Sequence, residues 1–254
     1  MKLAKTLYEN KTRWALLEGD TAWFLNGDPY ELIEKSGECA KLADCKLLAP
    51  CDASKVVAIG KNYYDHAVEF GEAVPETPTI FIKPNTSIIA DGEDVVYPPI
   101  SKRVDFECEL ALVIKKRASH VKAADAKDYI LGYTCLNDVT ARDIQKSDAQ
   151  WARGKGFDTF CPIGPILTDE IDPYDGIRVQ TILNGEVKQD GNTKNMMWSV
   201  YELVEFITEC MTLLPGDVIT TGTPVNVGPM QPGDTVTVRV EGIGDLTNPI
   251  VKAE

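Results

Sequence analysis

Two glutamates one residue apart, Glu107 and Glu109, open the strongly apolar run Cys108–Ile114. On a strand, residues i and i+2 share a face and lie roughly 6.5–7 Å apart. Two carboxylates so placed repel each other unless a positive charge is set against them. A hard divalent cation such as Mg²⁺ or Mn²⁺ would do this, since both prefer oxygen ligands. Cys108 points to the other face, which takes its sulfur out of the ligand set. A third carboxylate, Asp138, follows another apolar stretch, in Leu136-Asn137-Asp138-Val139, where a strand end would display it. Three carboxylates against a divalent ion leave coordination positions for two substrate oxygens. The same glutamate pair would also suit a solvated strand face, and spacing alone leaves both readings open.

The elements that must position these residues predict an α+β fold. Residues 1–52 look like a small β domain. Trp14–Leu17 and Ala22–Leu25 are short apolar runs bounded by the turn signals Gly19-Asp20 and Asn26-Gly27-Asp28. Lys46–Ser54 reads as a linker to a second domain, 53–254. There Ile80–Ile82, Ser87–Ala90, Cys108–Ile114, Val218–Thr221 and Thr235–Val240 read as strands. Ala123–Ile130 predicts a short helix, and polar Asp138–Ala152 has helical character. Ser199–Leu214 predicts the clearest helix, with Val200, Leu203, Val204, Ile207 and Met211 on one stripe and Ser199 and Glu202 as a capping box. Strands and helices do not alternate regularly, which argues against a doubly wound sheet.

Composition narrows the chemistry. The 254 residues, 44% of them hydrophobic, suffice for a packed core. With 26 Lys and Arg against 39 Asp and Glu, the net charge is −13. Such a surface repels phosphate backbones and anionic lipid, so no nucleic-acid or membrane partner is expected. His66 and His120 are the two histidines, which excludes a three-histidine metal site. No run approaches the ~18 apolar residues of a membrane span. No secretory h-region follows Met1, and seven cysteines without a C-x-x-C suit reduced thiols, so a cytoplasmic location is expected. Walker, dinucleotide, nucleophile-elbow and H-E-x-x-H signatures are all missing.

Several blocks together resemble the fumarylacetoacetate hydrolase superfamily. They are Gly60–Glu69 (GKNYYDHAVE), Phe81–Thr86 (FIKPNT), Phe106–Ile114 (FECELALVI), Asn137–Gln145 (NDVTARDIQ), Gly154–Asp158 (GKGFD) and Thr221–Pro224 (TGTP). The match runs in order from about Val56 to Val251, and the first fifty residues look like the N-terminal extension of bacterial-type members. The resemblance implies a mixed sheet partly rolled on itself, a homodimer, and a Mg²⁺ or Mn²⁺ site at Glu107, Glu109 and Asp138. It implies that Lys155 faces the substrate's carboxylate or enolate, that Lys83, Arg142 and Gln145 line the pocket, and that Thr223 contacts the substrate carboxylate. His66 and Glu69 match an H-x-x-E dyad on a lid, in which Glu69 would orient the imidazole while His66 takes a proton from water. Phe106, Gly156 and Asn226 depart from residues frequent in the family, all on what the resemblance makes the outer wall of the pocket.

The implied substrate is a small 2-oxo acid or enol carboxylate. Its carboxylate and neighbouring oxygen can chelate a metal, which stabilises an enolate. The dyad puts C–C cleavage first, as acylpyruvate-type hydrolysis or oxaloacetate decarboxylation. Isomerisation or tautomerisation of a hydroxydiene dicarboxylate comes second, and a catalytically silent metal-binding scaffold third.

Overall fold

The computed structural model describes residues 1–64 and 75–253. A long mixed sheet runs edge to edge through Lys35–Lys41, Thr21–Leu25, Lys11–Glu18, Lys2–Tyr8, Cys161–Thr168, Ile130–Asn137, Cys108–Ile114, Val218–Thr220, Lys55–Gly60 and Thr79–Pro84. Neighbours on this path are antiparallel apart from Val218–Thr220 beside Lys55–Gly60. A five-stranded sheet contains Arg178–Leu183 and Glu186–Asn192, and a three-stranded one is centred on Val104–Phe106. The fold is α+β, with far more strand than helix.

Cys108–Ile114 lies near the middle of the long sheet, buried along its whole length. That explains a run with no polar alternation, since both faces are covered. On one side Leu110, Leu112 and Ile114 join Leu203 and Ile207 of the helix Val200–Cys210. On the other, Ala111 and Val113 join Leu3, Trp14 and Val56. The N-terminal strands are thus continuous with the long sheet, through the pair Leu3↔Leu167. The expected linker carries a short strand, Lys46–Leu48, paired with Lys5–Leu7.

The Ser199 capping box forms in full, Glu202 N–H donating to Ser199 Oγ (3.3 Å) and Ser199 N–H to Glu202 Oε2 (2.8 Å). The helix stops at Cys210, short of the expected Leu214, because Met211 is extended and Leu213 exchanges two 2.9 Å backbone hydrogen bonds with Ala118. Met211 accordingly leaves the helical stripe. Ala123–Tyr129 forms a 3₁₀ helix.

The expected helical stretch Asp138–Ala152 is also shorter and divided. Arg142–Ser147 is one helix and Ala152–Lys155 a second, separated by an extended Asp148. Gly154 lets the two touch, since a Cβ there would lie 2.8–2.9 Å from Gln145 backbone atoms. This contact brings Gln145 and Lys155 to the same wall. Among the described residues no helix is long and apolar enough to cross a membrane.

Candidate active site

Register brings the three carboxylates together. Cys108 pairs with Asn137, so Glu107 and Asp138 meet just beyond the end of that ladder. Their backbones are tied there: Asp138 N–H donates to Glu107 C=O (2.9 Å), and Glu107 N–H donates to Asn137 Oδ1 (3.0 Å). Glu109 lies on the strand itself and receives hydrogen bonds from Thr220 Oγ1 and Gly222 N–H, the latter at 2.7 Å. Gly222 adopts φ +93°, and a Cβ there would lie 2.9 Å from Asn62 Cβ, so glycine is required. One oxygen from each of Glu107, Glu109 and Asp138 falls within a 4.8 Å cluster, and all three residues are buried.

Basic side chains frame this cluster. Lys155 Nζ bridges Glu107 Oε2 (2.8 Å) and Asp138 Oδ2 (2.5 Å). Burial alone would lower the pKa of its ammonium, but the charges of Asp138 and Glu107 outweigh this and hold it above the usual lysine value. Arg142 spans Asp105 (2.8 Å), Glu107 and Gln145 Oε1 (2.7 Å). Burial opposes its charge too, and Glu107 and Asp105 again prevail.

Glu109 behaves differently. Burial first, and then the charge of Asp138, push its carboxyl well above the usual range. Among the described residues, the buried carboxylates Asp105, Glu107, Glu109 and Asp138 stand with the buried cations Lys83, Arg142 and Lys155. A divalent ion held by Glu107, Glu109 and Asp138 would relieve the pressure on Glu109. Three converging carboxylate oxygens with no sulfur or imidazole among them suit a hard cation.

The carboxylates open on a cavity of about 330 Å³, whose lining also includes Arg142, Gln145, Lys155, Thr223, Phe81 and Trp151. Phe81 and Trp151 meet edge to face with ring centroids 5.3 Å apart, and Lys155 Nζ lies 5.0 Å from the Phe81 ring centre. The volume is at the small end for organic ligands, about 300–1,000 Å³. The lining thus combines an aromatic pair with an ionic cluster that adjoins it at Lys155.

The structure thus gathers Glu107, Glu109, Asp138, Arg142, Gln145, Lys155 and Thr223 around one cavity. Lys83, expected in the lining, sits behind it instead. It is fully buried and donates to Asp138 Oδ1 (2.6 Å), Lys155 C=O (2.6 Å) and Val139 C=O (3.2 Å). Burial of its ammonium requires those acceptors, and reaching them turns it from the cavity. His66 and Glu69 lie outside the described residues. Asp105, Thr220 and Gln189 support the site and were missed in the sequence. Asp105 stood beside the glutamate pair as a possible signal, whereas Gln189 lies in a polar hairpin with no pattern to distinguish it.

The profile of the fumarylacetoacetate (FAA) hydrolase C-terminal family matches residues 55–251, and an Rv2993c-like N-terminal profile matches residues 1–50. Protein Rv2993c of Mycobacterium tuberculosis is 45% identical over 99% of this chain and 98% of its own. The human mitochondrial oxaloacetate tautomerase FAHD2A is 41% identical over 82% of this chain and 70% of its own. The solved structure of 5-carboxymethyl-2-hydroxymuconate delta-isomerase from Mycobacterium smegmatis superposes with a TM-score of 0.94 at 44% identity, covering all of both chains.

Proposed function

The chain belongs to the fumarylacetoacetate hydrolase family, and from that premise we propose that it is a divalent-metal-dependent tautomerase or isomerase of a small 2-oxo dicarboxylate. The carrying observation is the buried Lys155 ammonium, held between Glu107 and Asp138 at the wall of a cavity sized for such an acid. Glu107, Glu109 and Asp138 would hold Mg²⁺ or Mn²⁺, which when bound polarises a chelated 2-oxo carboxylate and stabilises its enolate.

The protein's own groups do the rest. Lys155 keeps its proton and sets positive charge beside the developing enolate, and fixed charge in a water-poor site is effective there. Thr223 offers a hydroxyl to the carboxylate of the substrate. Arg142 and Gln145 form a mutually bonded pair on the same wall. Phe81 and Trp151 give an apolar face against which a flat, conjugated enol can lie.

The sequence alone puts C–C cleavage first. The relatives named as a tautomerase and an isomerase support giving proton transfer precedence. Cleavage remains the second reading, favoured by the H-x-x-E spacing of His66 and Glu69. The test is an assay of oxaloacetate keto–enol exchange and of hydroxydiene dicarboxylate isomerisation, with Mg²⁺, Mn²⁺ or chelator, beside pyruvate release from oxaloacetate and acylpyruvates. Metal-dependent interconversion that largely survives His66→Ala supports the proposal. Pyruvate release that falls ~10²-fold or more in His66→Ala, with no interconversion, replaces it with cleavage.

A further inference from the structure

Gln189, in the strand Glu186–Asn192, is fully buried and reaches both halves of the candidate site. Its Oε1 accepts from Cys108 N–H (3.0 Å), the amide between Glu107 and Glu109, and from Thr181 Oγ1 (2.7 Å). Its Nε2 donates to Thr223 Oγ1 (2.9 Å) and Pro224 C=O (2.8 Å). The amide cannot be turned over. Cys108 N–H can only donate and Pro224 C=O can only accept, so the oxygen and nitrogen are fixed by their partners. Thr223 Oγ1 therefore uses a lone pair on Gln189, and its own proton is left for Cys108 Sγ, which it also meets, or for a ligand oxygen. Thr223 lines the cavity, and a bound carboxylate, a stronger acceptor than a thiol, would draw that proton.

We propose that Gln189 is a positioning residue that fixes the Thr223 hydroxyl as a hydrogen-bond donor to the substrate carboxylate, in register with the Glu107–Glu109 backbone. This rests on the reading of the cavity as a 2-oxo acid site. Removing the amide would loosen Thr223 and let its hydroxyl turn to the protein, while the carboxylate cluster keeps its own ligands. The effect belongs in ligand affinity more than in turnover.

The test is a double-mutant cycle on the full chain with Gln189→Met, Thr223→Val and the pair. Binding of oxalate, a non-reacting planar dicarboxylate, is measured by calorimetry with Mn²⁺ present, and Mn²⁺ binding alone is measured separately. A lost hydrogen bond to a charged group weakens oxalate by about 10–100-fold in each single variant. The double variant should be no weaker than Thr223→Val, KM should rise with kcat nearly unchanged, and Mn²⁺ affinity should hold. Thr181→Val is the control for general loosening, since it touches the same amide on its other side; its melting temperature should fall while its oxalate affinity stays. Additive losses, or an equal loss of oxalate affinity in Thr181→Val, overturn the assignment. If wild type binds neither oxalate nor any 2-oxo acid, the substrate reading fails on its own. A crystal structure of Gln189→Met then decides the positioning role: a displaced Thr223 hydroxyl supports it and an unmoved one overturns it.

Discussion

Glu109, on the strand Cys108–Ile114, and Asp217, just before the adjoining strand Val218–Thr220, are both fully buried carboxylates, and the protein treats them in opposite ways. Asp217 collects Ser54 N–H (2.9 Å), Ser54 Oγ (2.7 Å), Lys55 N–H (3.2 Å), Leu214 N–H (2.8 Å) and the Lys55 ammonium. Burial would raise its pKa, but these bonds, led by Lys55, hold it below the usual value. Glu109 receives a hydroxyl and one amide, faces Asp138, and is pushed up. A structural carboxylate is complete within the fold. Glu109 has fewer partners of its own, as the cation site proposed above would require.

The contrast breaks most sharply at Glu109→Ala. Activity with Mg²⁺ or Mn²⁺ should fall at least ~10³-fold, since several kcal/mol of charge stabilisation go with the ligand. Its melting temperature in chelator should change little, because removal of a buried acid facing Asp138 is offset by the loss of the acceptor for Thr220 Oγ1 and Gly222 N–H. Undiminished turnover would contradict the metal assignment. Asp217→Ala should do the reverse. Denaturant unfolding should show a loss of about 3–5 kcal/mol, as several buried donors lose their acceptor together. Turnover per folded molecule should hold.

Titration acts with opposite signs at the two sites. A raised folded pKa means that the contribution of Glu109 is present at pH below its unfolded value, near 4.5, and is lost as pH climbs through the folded value. Chelated wild type should therefore lose stability relative to Glu109→Gln as pH rises from 4 to 8, by up to ~1.4 kcal/mol per pH unit from one group. Added Mg²⁺ should close that gap. Asp217 contributes above about pH 4, and its contribution is lost as pH falls through its depressed folded value. Parallel melting curves for wild type and Glu109→Gln at every pH would remove the distinction. The smallest effect is remote from both acids. Ser199→Ala should cost about 1 kcal/mol by removing a cap and lower the melting temperature by a few degrees, with activity intact.

What was legible in the sequence was local. The apolar run Cys108–Ile114 has the bounds read from it, and the Ser199–Glu202 cap depends on residues three apart. That the glutamate pair and Asp138 meet was legible from two apolar strands with acids at their ends together with the family resemblance, since spacing alone also suited a solvated face. What was not legible depends on distant partners. Lys83, placed in the pocket lining by the resemblance, is instead captured by Asp138, 55 positions on. Gln189 is a polar residue in a polar hairpin, and its burial follows from a contact with Cys108 81 positions away. The division of Asp138–Ala152 into two helices likewise follows from packing rather than periodicity.

The close approach at Gly154 has a mechanical consequence. With Gln145 backbone atoms less than 3 Å from where a side chain would begin, the two short helices have no slack between them. Arg142, Gln145 and Lys155 are therefore carried on two helices packed directly against each other. A bulkier guest cannot gain room by prising them apart, so any widening of the chamber has to come from the rest of its rim.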